Sequence, residues 1–185
     1  MDWAEPLAAV LGLAALVVLP ACSGGSSGKG PTKAVQPARQ ACRASRLALK
    51  VGRYGEAGGQ FIQTFTFTNV SGADCRLGGW PGFRVLEASR RLVPTQRVRQ
   101  NAPGRPAWRT VLLSPHKTAS FDVYGADFDA ARDVACPKTS SASITLPNDT
   151  AEMSVQLRIP NCGRFLVAPL LAGSIDRDSW SSVVG

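Results

Sequence analysis

The clearest pattern along the chain is a period of two. Phe61, Phe65 and Phe67 share one parity, and Thr64, Thr66 and Thr68 share the other. Such alternation predicts a β-strand with rings on a buried face and hydroxyls on a wet one. Asn69-Val70-Ser71-Gly72 ends the strand, Cys75 follows, and Pro81-Gly82 suits a type II turn with Gly82 at positive φ. Upstream, Leu47, Leu49 and Val51 alternate with Arg46, Ala48 and Lys50 in a first strand, and Gly52–Gly59 reads as a glycine-rich turn. Downstream, strands are expected over Phe83–Ala88, Trp108–Leu113, Thr118–Tyr124, Ser143–Leu146, Met153–Ile159 and Phe165–Leu170. Pro94–Ala107 reads as a long irregular loop, and Gly125–Ala135 as a polar segment with room for one helical turn. Strand-favouring runs separated by Gly, Pro, Ser and Asn clusters point to an all-β fold, a two-sheet antiparallel sandwich of immunoglobulin-like kind with about eight strands. The β-domain is expected over residues 41–172, with a C-terminal tail over 173–185.

Residues 1–21 read as a processing segment. Leu7–Leu19 is apolar throughout and short of the ~20 residues that span a bilayer, which suits a signal-peptide core. It ends in Leu19-Pro20-Ala21-Cys22, a bacterial lipobox in outline, so Cys22 is the expected site of acylation. Pro20 is unusual there, and the first six residues carry no Lys or Arg; secretion or an uncleaved anchor is the alternative. Ser23–Gln40 is nearly free of apolar residues and is expected to be a tether with a reach of roughly 20–25 Å. The expected location is the extracytoplasmic face of the membrane, with bound lipid as the anchor.

The chain has five cysteines. With Cys22 assigned to lipid, Cys42, Cys75, Cys136 and Cys162 can form two disulfides in three pairings. Sequential pairing, Cys42–Cys75 and Cys136–Cys162, is the expectation. Each loop then encloses roughly 30 residues and is worth ~3–4 kcal/mol in the chain-entropy model. Four free thiols in a cytosolic protein fit the leader poorly. No Cys-x-x-Cys pair exists and His116 is the only histidine, which disfavours zinc.

Net charge bounds the partners more than it names them. The chain carries +8, rising to about +10 if Asp2 and Glu5 leave with the leader. Between Ala88 and Phe121 stand Arg90, Arg91, Arg97, Arg99, Arg105, Arg109 and Lys117, with no Asp or Glu. The six arginines are candidate contacts for an anionic envelope polymer, lipid or protein, because guanidinium suits bidentate phosphate and carboxylate binding. An arginine-rich solvated surface is the alternative. Nucleic acid is disfavoured by export and by sparse aromatic interleaving. His116 sits in a turn beside Pro115 with no positioned acid, and no Gly-x-Ser-x-Gly elbow is present. Asp127 and Asp129 lack the further ligands of a calcium loop, and no phosphate loop is found, so no cofactor or metal is expected.

The ordered set of motifs resembles a known family. Cys42 is followed by Gly59-Gln60 before a strand, Asn69-Val70-Ser71-Gly72, Cys75-Arg76-Leu77-Gly78-Gly79-Trp80-Pro81-Gly82, Val111-Leu112-Leu113-Ser114-Pro115, Cys136, Cys162 and Ala168-Pro169. This resembles an uncharacterised domain family of actinobacterial secreted proteins and lipoproteins, over about Cys42 to Leu171. The resemblance implies a β-sandwich, sequential disulfides and an envelope location. It carries over no catalytic residue and no ligand. At Ser114-Pro115-His116 the chain departs from the family's usual Pro-Gly turn. The leading functional expectation is a non-enzymatic module that binds a ligand or partner at the envelope. A hydrolase or transferase acting on envelope material, and a structural spacer, are the alternatives.

Overall fold

A computed structural model describes residues 40–101 and 107–173. The expected leader, Cys22, nearly all of the tether, Arg105 and most of the C-terminal tail lie outside the described residues. Thirteen strands are present among those described: β1 Leu47–Ala57, β2 Gln60–Asn69, β3 Cys75–Leu77, β4 Gly82–Leu86, β5 Gln96–Arg99, β6 Val111–Leu113, β7 Thr118–Ala126, β8 Phe128–Asp129, β9 Val134–Ala135, β10 Ser141–Thr145, β11 Glu152–Gln156, β12 Arg164–Val167 and β13 Leu171–Ala172. The all-β class holds with more and shorter strands than the expected eight. A six-stranded sheet runs β1-β2-β7-β12-β5, with β13 also on β7. A three-stranded sheet runs β11-β10-β4, and β3-β6 and β8-β9 form small pairs. Pairing is antiparallel except between β12 and β5, which run parallel. No helix among the described residues is long and apolar enough to cross a membrane.

The two larger sheets are joined by phenylalanines. Phe61, Phe65 and Phe67 of β2, Phe121 of β7 and Phe165 of β12 point inward from the large sheet, and all are essentially buried. Phe83 enters from β4 of the other sheet, with ring centroids 5.7 Å from Phe65 and 5.4 Å from Phe165. Truncating a buried ring of this kind costs about 3–5 kcal/mol. The Cys42–Cys75 disulfide ties the N-terminal segment to β3, and Cys136–Cys162 ties the segment after β9 to the start of β12. Both are the sequentially paired bridges, typical of a protein that matures in an oxidising, extracytoplasmic compartment.

Several local expectations are corrected. Gly52–Gly59 is not one turn. β1 continues to Ala57, and only Gly58 and Gly59, both at positive φ, make the two-residue hairpin. Gly52 belongs to an irregularity between Val51 and Tyr54, where Gln63 Nε2 donates to the carbonyls of Gly52 and Arg53 at 3.1 and 3.0 Å. The threonine face of β2 is not uniformly wet: Thr64 is buried and donates to Asp122 Oδ1 at 2.7 Å. Gly82 has no positive φ; Gly79 does. Gly82 opens β4 opposite Thr145, whose Oγ1 stands where a glycine-82 Cβ would lie. Gly125–Ala135 carries the β8–β9 hairpin rather than a helical turn, and the loop after Pro94 contains β5.

Asn69 and His116 meet at a second turn. Asn69 is fully buried, and its Nδ2 donates to the carbonyls of Ala73 and Leu113, each at 2.8 Å. Its Oδ1 accepts from Ser71 N–H and Oγ, which explains why Asn-x-Ser-Gly works as one unit. The Asn69 carbonyl accepts from His116 N–H at 2.8 Å, and Lys117 N–H closes the Ser114–Lys117 turn on the Ser114 carbonyl at 3.0 Å. His116 there has a φ of 62°. A side chain in that region costs ~1–2 kcal/mol, part of which glycine returns as unfolded-chain entropy. His116→Gly is therefore expected to stabilise the domain by about 0.5–1 kcal/mol and to raise Tm by about 2–4 °C in thermal unfolding. An unchanged or lowered Tm would show that the imidazole contributes more than its backbone strain costs.

Candidate functional site

The five candidate arginines among the described residues are not all at one end of the fold. Arg90 sits at positive φ in the turn after β4, and Arg91 beside it pairs with Glu87 at 2.6 Å. Arg97, on β5, donates to the Phe83 carbonyl at 3.4 Å and so helps close the sheet edge. Arg109 is exposed just before β6. Arg105 lies outside the described residues. Arg99, at the end of β5, reaches a cleft of about 640 Å³ that sequence reading did not anticipate.

This cleft lies where Gly82 of β4 pairs with Thr145 of β10. Leu86 and Ser141 mark the opposite end of the same strand pair, beside a second cleft of about 720 Å³ that includes Glu87 and Ser140. Arg90 and Arg91, in the turn after β4, therefore belong to the opposite end from Arg99. One wall of the Arg99 cleft is Arg76-Leu77-Gly78-Gly79-Trp80, running from β3 towards β4. Gly78 is required by closeness: a Cβ there would stand 3.0 Å from Thr110 Cα. Gly79 has a φ of 94°, and its carbonyl accepts from Leu170 N–H at 2.9 Å. These two glycines let the backbone turn and present Trp80.

Trp108, just before β6, packs edge-on against Trp80 with centroids 5.7 Å apart and planes inclined by 61°. Trp108 is 45% exposed. The Trp80 Nε1–H is shielded from solvent, and it donates to no group among the described residues. An unused buried donor costs about 1–3 kcal/mol. Arg76 and Arg99 line the same cleft, are both exposed, and have no carboxylate within ion-pair distance among the described residues. Arg84, Arg91 and Arg132, by contrast, pair with Glu152, Glu87 and Asp129.

The acid in the cleft is Asp149, on the β10–β11 connection. Its Oδ2 accepts from Ala44 N–H at 2.9 Å, and its Oδ1 accepts from Thr150 and Ala151 N–H at 2.8 and 3.2 Å. The Ala44 bond first, then Ala151, Thr150 and the nearby Arg43 cation, hold its carboxyl below the ordinary 3.8 despite the opposing effect of desolvation. It pins the N-terminal segment to the hairpin and is committed to backbone donors. His116 is exposed in its turn, and Asp129 is engaged with Ala131 N–H and Arg132. Among the described residues no three His, Cys, Asp or Glu side chains are placed to hold a metal ion.

A family model described as a domain of unknown function (DUF4232) matches residues 42–170. The chain belongs to the DUF4232 family. No curated protein and no solved structure matches it. The cleft lies within the DUF4232 match, and Trp80 stands in the glycine-rich Cys75–Gly82 stretch that carries the family resemblance. Trp80 reads in sequence as part of a turn and Trp108 as the start of a strand. The sequence signal for the site is a large ring placed directly after two residues without side chains.

The Asp149 geometry has a testable consequence. A carboxyl whose folded pKa is depressed adds stability above its unfolded value and loses it as pH falls through the folded one. Asp149→Asn is therefore expected to lower Tm at pH 7, with the deficit shrinking below about pH 4 as the native carboxyl protonates. A pH-independent deficit in thermal melts would contradict a role for the charge.

Proposed function

We propose that this chain is a lipid-anchored, non-enzymatic binding domain at the extracytoplasmic face of the cell membrane. It engages an anionic envelope component at the Trp80–Trp108 cleft through Arg76 and Arg99. The observation that carries this reading is that two guanidiniums with no carboxylate at ion-pair distance among the described residues line the same cleft as two packed indoles. Both disulfides support export, and the Leu19–Cys22 sequence after an apolar run supports acylation at Cys22. Several acyl chains hold stably where one alone is marginal.

The full chain is expected in the membrane fraction with acyl mass on Cys22, and Cys22→Ser is expected to release it. Purified protein is expected to co-sediment with anionic wall polymer in a salt-sensitive manner. The Arg76→Ser/Arg99→Ser pair should lose most of that binding, and Arg90→Ser/Arg91→Ser should retain it. Salt-insensitive pelleting, or equal loss in both double variants, would contradict the assignment of the cleft.

A further inference from the structure

We infer that the Trp80–Trp108 cleft is a subsite for an acidic saccharide, a short run of sugar rings bearing carboxylate or phosphate. This deepens the binding role proposed above and rests on it. The two indoles form an apolar corner, with planes 61° apart and centroids 5.7 Å apart. A pyranose ring presents a flat C–H face that packs on an indole while its hydroxyl rim stays available for hydrogen bonds. Trp is suited to such mixed surfaces, being apolar in body with one polar handle.

The anionic requirement comes from Arg76 and Arg99. Each carries a planar fork of donors matched to carboxylate or phosphate oxygens. Asp149 keeps its negative charge in the same lining, but its ion-pair partner is Arg43 at 4.0 Å and it makes no ion pair with Arg76 or Arg99. A simple anion site would need no indole corner, and a neutral-sugar site would need no pair of free guanidiniums. The open cleft, about 640 Å³, has room for a ligand of a few rings.

The test is isothermal titration calorimetry on the full chain with four probes: a phosphorylated mannose pentasaccharide, the same pentasaccharide without phosphate, a glucuronate-containing tetrasaccharide and inorganic phosphate. At least one acidic saccharide is expected to bind about tenfold or more tightly than both the neutral sugar and inorganic phosphate. Trp108→Ala, at an exposed ring, should weaken that binding about tenfold while leaving Tm within a few degrees. Arg99→Gln should weaken it and flatten its salt dependence, and Arg91→Gln should leave it unchanged. Neutral sugar binding as well as its phosphorylated form, or inorganic phosphate matching the saccharides, would overturn the inference. Failure of both acidic saccharides would also overturn it. If the chain still co-sediments with wall polymer in that case, the binding role stands and only the ligand class fails; if it does not, both fail.

Discussion

Phe83 is the contact on which the arrangement depends. It is the one ring that the three-stranded sheet sends into the phenylalanine cluster, and it meets Phe65 and Phe165 of the six-stranded sheet. With Phe83 seated, β4 has one register against β10, and Gly82 and Thr145 fall opposite each other at its start. A one-residue slip would turn Phe83 and Val85 outward and expose both. Register and core are thus one constraint. It also fixes the cleft, because Gly82 and Thr145 are in its lining.

The cleft is built from what surrounds that constraint. The Cys42–Cys75 bridge secures the start of β3, and the two glycines after β3 bring Trp80 round to β4. Asp149 reaches across to Ala44, fastening the β10–β11 connection to the N-terminal segment. Covalent, hydrogen-bonded and packed restraints therefore converge on the walls, leaving Arg76, Arg99 and the Trp108 ring exposed within a fixed frame. Such a frame limits the ordering cost of binding.

Much of the fold was readable from side-chain parity. The inward phenylalanines of β2 and the alternation in β1 are visible without coordinates, and sequential disulfides follow from the family resemblance. The strands that escaped are short, exposed or polar. β5 reads Gln-Arg-Val-Arg between prolines and is held by parallel pairing with a distant strand, and β8 and β9 have two residues each. Gly52 looked like a turn because glycine is common in turns. Its neighbour in space, Thr64, supplies the reason for a glycine inside a strand: a Cβ at position 52 would stand 3.1 Å from the Thr64 carbonyl oxygen. The site was harder still. A run of arginines is contiguous in sequence, yet β4 and β5 carry its members to different ends. Trp80 and Trp108 are 28 positions apart, and only the β3–β6 pairing brings their segments together.

The most direct test of the account is an amide and indole NMR titration of the domain with the acidic saccharide that binds. The prediction is that the Nε1–H resonances of Trp80 and Trp108 move first, together with amides of Arg76–Trp80 and Arg99. Shifts confined to the Arg90–Arg91 turn or the β8–β9 hairpin, with both indoles still, would contradict it.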